Sequence, residues 1–295
     1  MKKLLFTVFY LVSMTISVRG FAQNTNDKPD HEAMTAVMEQ VEQAIRNNQY
    51  HDVRQFFTDE GYYDFMELCY SGHAAIVGKP EYEFVDLNEL TICRSILMKL
   101  KYADDRVFLK NLVFRFTNDN KIESIAYMFS AVDEQAILCD TAVNPVLLMT
   151  MLTFLEDYQT AYSLRRIDFL EHVFSTDSLV IRDRNIQVMP SKVFSDSEHV
   201  FYYKKTTYLK ELCQMFARKG YISLNLADFE FQHQKGKHNY FGIQARQECI
   251  SKINGDVKYF FFLFDLSGEN LGIPVHILKN DRSEIDEIFK SLIVY

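Results

Sequence analysis

The sequence predicts an α+β fold: two tandem cone-like domains, each with helices packed against a curved antiparallel sheet. Three observations point there. Each half opens on helical periodicity and then turns to strands, so helices and strands are grouped rather than alternating. The halves echo each other at an offset of 117 residues, where Val41 meets Tyr158, Ala44 meets Ala161, Val53 meets Leu170 and Phe57 meets Phe174. With 295 residues, the chain is also long for one small domain and comfortable for two.

The elements follow in order. Lys2 and Lys3, the apolar run Leu4 to Val18, and the small residues Gly20 and Ala22 form the pattern of a secretory signal peptide cleaved after Ala22. The apolar run is short for a membrane span of about 20 residues. The first cysteine is Cys69, so no thiol near the cleavage site can carry a lipid. The expectation for residues 1–22 is therefore an export signal, giving a periplasmic or extracellular protein that is not a lipoprotein. Residues 23–30 (QNTNDKPD) read as a flexible leader.

The first domain is expected over 31–130. Met34, Val37, Met38, Val41, Ala44 and Ile45 share one helical face from His31 to about Asn48, with Asp30 as N-cap. Shorter helices are expected around Val53 to Phe57 and Tyr63 to Cys69. Strands are expected at Ala74–Val77, Thr91–Tyr102, Val107–Phe116 and Ile122–Phe129, with turns at Ala103-Asp104-Asp105 and Asn118-Asp119-Asn120.

Residues 131–143 read as a linker or a partly packed connection, and 144–295 as the second domain. Asn144-Pro145 supplies an N-cap followed by proline at the first helical position. A long and a short helix follow in FLEDYQTAYSLRRIDFLEHVFS. Next come a strand at Leu179–Arg182, an amphipathic helix at Thr206–Arg218 ended by Gly220, and four strands at Ile222–Gln232, Asn239–Ile250, Val257–Asp265 and Ile273–Lys279. Asn254-Gly255 is a hairpin turn signal. Glu284–Leu292 reads as a closing helix.

Composition excludes some function classes. Formal net charge is −8, and removing Lys2, Lys3 and Arg19 with no acid takes it to −11. That disfavours nucleic acid and anionic lipid as partners. Glycine numbers only 10 and forms no phosphate loop. No zinc or haem spacing of Cys and His occurs, so neither metal nor cofactor is expected. Of the five cysteines, Cys213 with Cys249 is the first pair to test for a bridge, against buried free thiols as the alternative.

FLEDYQTAYSLRRIDFLEHVFSTDSLVI resembles the start of a nuclear transport factor 2-like (SnoaL-like, cone-shaped α+β) domain as found in exported Bacteroidetes proteins. NDNKIESIAYMFS and VKYFFFLFDLSGENLGIPVHI resemble the closing hairpins of its upstream and downstream copies. The resemblance covers most of 31–280. It implies a hollow cone that serves as active site, ligand site or core, and dimerisation through the outer sheet face. It implies no particular reaction.

Candidate site residues follow from phase. On a helical wheel Phe154, Leu155, Tyr158, Ala161, Tyr162 and Arg165 share a face, placing the polar tips of Tyr158, Tyr162 and Arg165 in the second cone. Glu156, Gln159 and Ser163 fall opposite and read as a solvated acidic face. Asp168 and His172, at i and i+4, form either an orienting pair or an ordinary helical contact. His276 alternates with Val275 and Ile277 on the last strand, where related domains carry Arg. With Arg246, Arg165 and Phe262 it completes a pocket-lining set suited to a small apolar or anionic ligand. The run Tyr259 to Phe264 is apolar on both sheet faces, so Tyr259, Phe261 and Leu263 are the expected interface with a second copy or a protein partner. Two functions remain in view: a non-catalytic ligand-binding or assembly module, and a dehydratase-, isomerase- or cyclase-like enzyme.

Overall fold

The computed structural model describes residues 29–87, 90–102, 104–138, 145–182, 205–219, 221–233, 240–252, 255–265 and 272–293. The fold is α+β. It divides into two compact units, one holding Asn24–Glu134 with Thr141–Arg165, the other Gln135–Asp140 with Arg166–Tyr295.

In the first unit, helix α1 (His31–Asn47) starts where Asp30 accepts the Ala33 amide at 2.9 Å. It buries the six residues that its periodicity selects, and ends at Asn48 in a left-handed conformation (φ 56°) that asparagine tolerates. A 3₁₀ turn (Tyr50–Phe56) leads to α2 (Asp59–Tyr70), which Thr58 caps through the Gly61 amide. Strands β1 (Ala75–Ile76), β2 (Glu83–Leu87), β3 (Leu90–Lys101), β4 (Val107–Phe116) and β5 (Ile122–Tyr127) form an antiparallel sheet. Its order is β1-β3-β4-β5, with β2 also on β3. Register shifts in β3 (Cys93 to Ile96) and β4 (Arg115 to Phe116) bend it. Strand β2 was not expected from the sequence.

Helix α2 lies directly on β5. The Thr58 amide donates to the Ile122 carbonyl at 3.0 Å, and a Cβ at Gly61 would sit 2.3 Å from that same oxygen. Glycine is therefore needed at position 61 for close approach, not for its backbone angle.

Residues expected to be linker instead form α3 (Ala131–Leu138) at their start. Helix α4 (Pro145–Ser163) opens on proline, as expected. Its packing differs from expectation. The sequence reading gives this helix to the second domain, whereas its contacts place it in the first unit. Thr160 Oγ1 accepts the Tyr127 amide at 2.7 Å and Gln159 Nε2 donates to the Tyr127 carbonyl at 2.6 Å. Strand β5 is the sheet edge, so these side chains supply hydrogen bonds that a neighbouring strand would otherwise provide.

The second unit contains α5 (Ile167–Val173), β6 (Phe174–Arg182), α6 (Lys205–Lys219), β7 (Ile222–His233), β8 (Tyr240–Ser251), β9 (Gly255–Asp265), β10 (Gly272–Lys279) and α7 (Arg282–Ile293). Strands β7 to β10 form a meander, and β6 joins β10 in parallel, giving the order β6-β10-β9-β8-β7. The sheet is thus mixed rather than purely antiparallel. Asp228 (φ 58°) marks a bulge between Ala227 and Glu230 on β7.

Register assigns the two faces. One carries Phe260, Phe262, Phe264, Ile243 and His276; the Tyr208 ring of α6 meets His276 at 6.4 Å. Tyr208, Leu212 and Phe216 are the buried stripe of α6 at i, i+4 and i+8. The opposite face carries Gln244, Phe261 and Ile277 and is covered by α7, whose Asp286 accepts from Gln244 Nε2 at 3.0 Å and whose Ile285 is buried.

Among the described residues, no helix is long and apolar enough to cross a membrane. Cys213, exposed, and Cys249, half-buried, are not joined in a disulfide, so the suggested bridge is not formed. Cys69 and Cys93 are buried, and burial pushes each thiol up to about 12, which leaves them inert packing groups.

Candidate functional site

The six pocket residues expected from the sequence divide between the units. Tyr158, Tyr162 and Arg165 belong to the first unit; Arg246, Phe262 and His276 belong to the second. Tyr158 and Tyr162 are buried and their hydroxyls bond each other at 2.9 Å, which satisfies the polar tips internally. Arg165 is not on their helical face. Helix α4 ends at Ser163, and Arg165 takes a left-handed conformation (φ 55°) in the turn before α5. A helical wheel cannot place a residue that lies beyond the helix.

Within the second unit, Phe262 and His276 do come together. They are paired in register, and their ring centroids are 4.6 Å apart. His276 is 1 % exposed, and burial pushes its imidazole down to about 3, so the ring is neutral across the physiological range. Arg246 pairs with Tyr259 and therefore sits on the other face of the sheet from His276. Its Nε donates to Asp228 Oδ2 at 2.8 Å. The expected anion-receptive set of Arg246, Arg165 and His276 is accordingly not assembled within either unit. The interface expectation also changes. Phe261 and Leu263 are buried within the chain, on the face that α7 covers. The end of that face holding half-buried Tyr259 and exposed Val257 remains open.

The Asp168–His172 pair makes no carboxylate–imidazole bond. His172 Nδ1 instead meets the Asp168 backbone carbonyl at 2.6 Å, one helical turn away. His238, on the turn QHQKGKHNY that reads from the sequence as a solvated hairpin tip, lies outside the described residues. Among those described, no three His, Cys, Asp or Glu side chains gather as a metal site.

A buried charge cluster among the described residues lies on the face of α4 expected to be solvated. Glu156 of α4 is 0 % exposed. Its Oε1 accepts from Arg94 Nη2 of β3 at 3.2 Å, and its Oε2 is 3.6 Å from Arg115 Nη2 of β4. Arg94 also reaches Glu134 of α3 at 2.9 Å, and Arg115 reaches Asp157 of α4 at 2.5 Å. Both arginines are almost fully buried. Burial pushes the Glu156 carboxyl up to about 7 against the opposing pull of Arg94 and Arg115. Glu123 on β5 is raised as well, chiefly by burial, with Arg115 pulling it down. A sequence signal for this cluster exists. Arg94 and Arg115 each stand in an apolar strand, TICRSILM and LVFRF, and a buried guanidinium requires a carboxylate.

A groove of about 670 Å³ on the exposed side of α1 is lined by Glu39, Glu42, Arg46 and Lys79 among others. Its charges are partly spent on one another, since Arg46 pairs with Glu42 at 2.7 Å.

No family model and no curated protein matches the chain. Solved structures similar to part of it include an NTF2-like protein of unknown function from Pseudomonas putida, with 10% identity over 44% of this chain and 84% of that chain, TM-score 0.33. Another NTF2-like protein of unknown function, from Shewanella oneidensis, has 7% identity over 43% of this chain and 94% of that chain, TM-score 0.32. The beta subunit of a benzoate 1,2-dioxygenase from Burkholderia mallei has 16% identity over 45% of this chain and 91% of that chain, TM-score 0.32.

Proposed function

We propose that the protein is an exported, non-catalytic module that acts by assembly with a second copy or a protein partner. The observation that carries this reading is the filling of the second sheet. Phe260, Phe262 and Phe264 are each 0 % exposed, and His276 is held neutral among them. These side chains are spent on one another and on α6, as a core is, and the polar tips expected to converge in one cone lie in different units. The surface through which assembly would run is the open end of the covered face, at Val257 and Tyr259 beside Arg246.

One observation favours the enzyme reading. Glu156 is a buried carboxyl near neutrality beside two arginines, a setting that suits proton transfer. Yet each arginine already has a second carboxylate, so the group reads first as part of a structural clamp.

The experiment makes three measurements on the exported protein. N-terminal sequencing should find a chain that begins at Gln23, and a polarity-sensitive dye should show no saturable one-to-one uptake. Sedimentation should show a dimer or a heteromeric complex that Tyr259→Glu weakens. A strict monomer with stoichiometric dye uptake, displaced by a small apolar or anionic compound, would overturn the assembly reading.

A further inference from the structure

The charge arithmetic around Glu156 is uneven. The groups that face it come from four elements: Arg94 on β3, Arg115 on β4, Glu134 on α3, and its neighbour Asp157 on α4. Glu123 on β5 interacts with Arg115 and Asp157, and adds further negative charge. Arg94 is already matched by Glu134, and Arg115 by Asp157. Glu156 is therefore the surplus acid, standing between two ion pairs that are complete without it. Its bonding shows the same surplus. Oε1 shares Arg94 with Glu134, while Oε2 and Arg115 Nε each lack a hydrogen-bond partner within the described residues. A further negative charge in so dry a place is costly, whereas a neutral carboxyl there leaves each arginine matched by one carboxylate.

The same turn of α4 holds the sheet edge. Gln159 and Thr160, three and four residues after Glu156, make both hydrogen bonds to Tyr127. Loosening this turn releases the edge strand's backbone.

From this geometry we infer that α4 is fastened to the first sheet by a proton-operated latch, in which Glu156 is the group that takes up and gives up the proton. With the proton on Glu156, the two ion pairs balance and α4 stays down on β5. Loss of the proton leaves an uncompensated buried anion beside Asp157, and α4 loosens. The position of the carboxyl agrees. Burial raises it from 4.5 to about 7, so the folded state keeps its proton longer than the unfolded chain does. For a raised acid, this contribution to stability is full below pH 4.5 and declines as pH rises through about 7.

Hydrogen exchange on the full chain, corrected for the intrinsic pH dependence of exchange, tests the latch. Between about pH 4.5 and pH 7 the amides of α4 and of Tyr127 should lose protection, approaching a tenfold loss per pH unit, and the loss should level off above the folded-state midpoint near pH 7, while α1 amides stay constant. Glu156→Gln, which keeps the shape and removes the titration, should give α4 protection that is flat with pH. Asp157→Asn frees Arg115 for Glu156, so its midpoint should move to lower pH. Flat α4 protection in the wild type, or an unchanged slope in Glu156→Gln, would overturn the proposal. Should Glu156→Gln fail to fold, an unmoved midpoint in Asp157→Asn would overturn it equally.

Discussion

At the scale of single residues, Gly61 shows how one atom can control a contact. Its missing Cβ lets α2 lie on the Ile122 carbonyl, and the atom that would clash is backbone rather than a flexible side chain. Gly61→Ala should therefore cost about 2 kcal/mol, despite alanine's better helix propensity, because strand or helix must move. Thermal unfolding would check this: a melting point unchanged or raised would mean that α2 has slack at that site. Residue-level reading of the sequence succeeds where the determinant is local. Asp30 and Pro145 begin their helices by chemistry contained within a few residues. It fails at Arg165, because the wheel assumes a helix that has already ended.

At the scale of elements, periodicity says which face of a helix is polar but not what that face meets. The α1 face was legible because an apolar stripe on a polar helix has one reading. Glu156, Gln159 and Thr160 form a polar face that could equally meet water or a sheet, and here Gln159 and Thr160 meet the edge strand while Glu156 meets two buried arginines. Local sequence cannot separate these outcomes, but the arginines at 94 and 115 carry the missing half of the information. The same limit applies to β9. Alternation shows two apolar faces, and only the tertiary structure shows that α7 covers one of them. Ile285, buried at the centre of that cover, offers a test. Ile285→Asp would place an isolated carboxylate against the sheet, at a cost of several kcal/mol. It should detach α7, raise dye binding and promote self-association through the uncovered Phe261 row. Unchanged dye binding and a monodisperse chain would show that α7 is not the cover.

At the scale of the whole molecule, the helix-then-sheet order was legible, and the α+β class with it. The division of the chain was not, because a repeat in sequence implies that each copy uses its own first helix. Here α1 and α4, which match at the 117-residue offset, serve the same unit. A fragment covering 24–165 should fold cooperatively, with α1 and α4 both protected. A fragment ending at 143 should be markedly less stable, since it leaves Arg94, Arg115 and the β5 edge without their partners. Equal urea midpoints for the two fragments would refute the assignment of α4 to the first unit.

The parallel pairing of β6 with β10 has a consequence for biosynthesis. A ribosome releases the chain from its N-terminus, and the first unit has all its parts once Arg165 has emerged. The second cannot close then, because β6 ends at Arg182 and its neighbour β10 begins at Gly272, about 90 residues later. At translation speeds of roughly 5–20 residues per second, β6 waits about 5 to 20 s beside an incomplete sheet. A strand left waiting so long is where a chaperone would be needed first, and where a stalled or truncated chain would begin to aggregate.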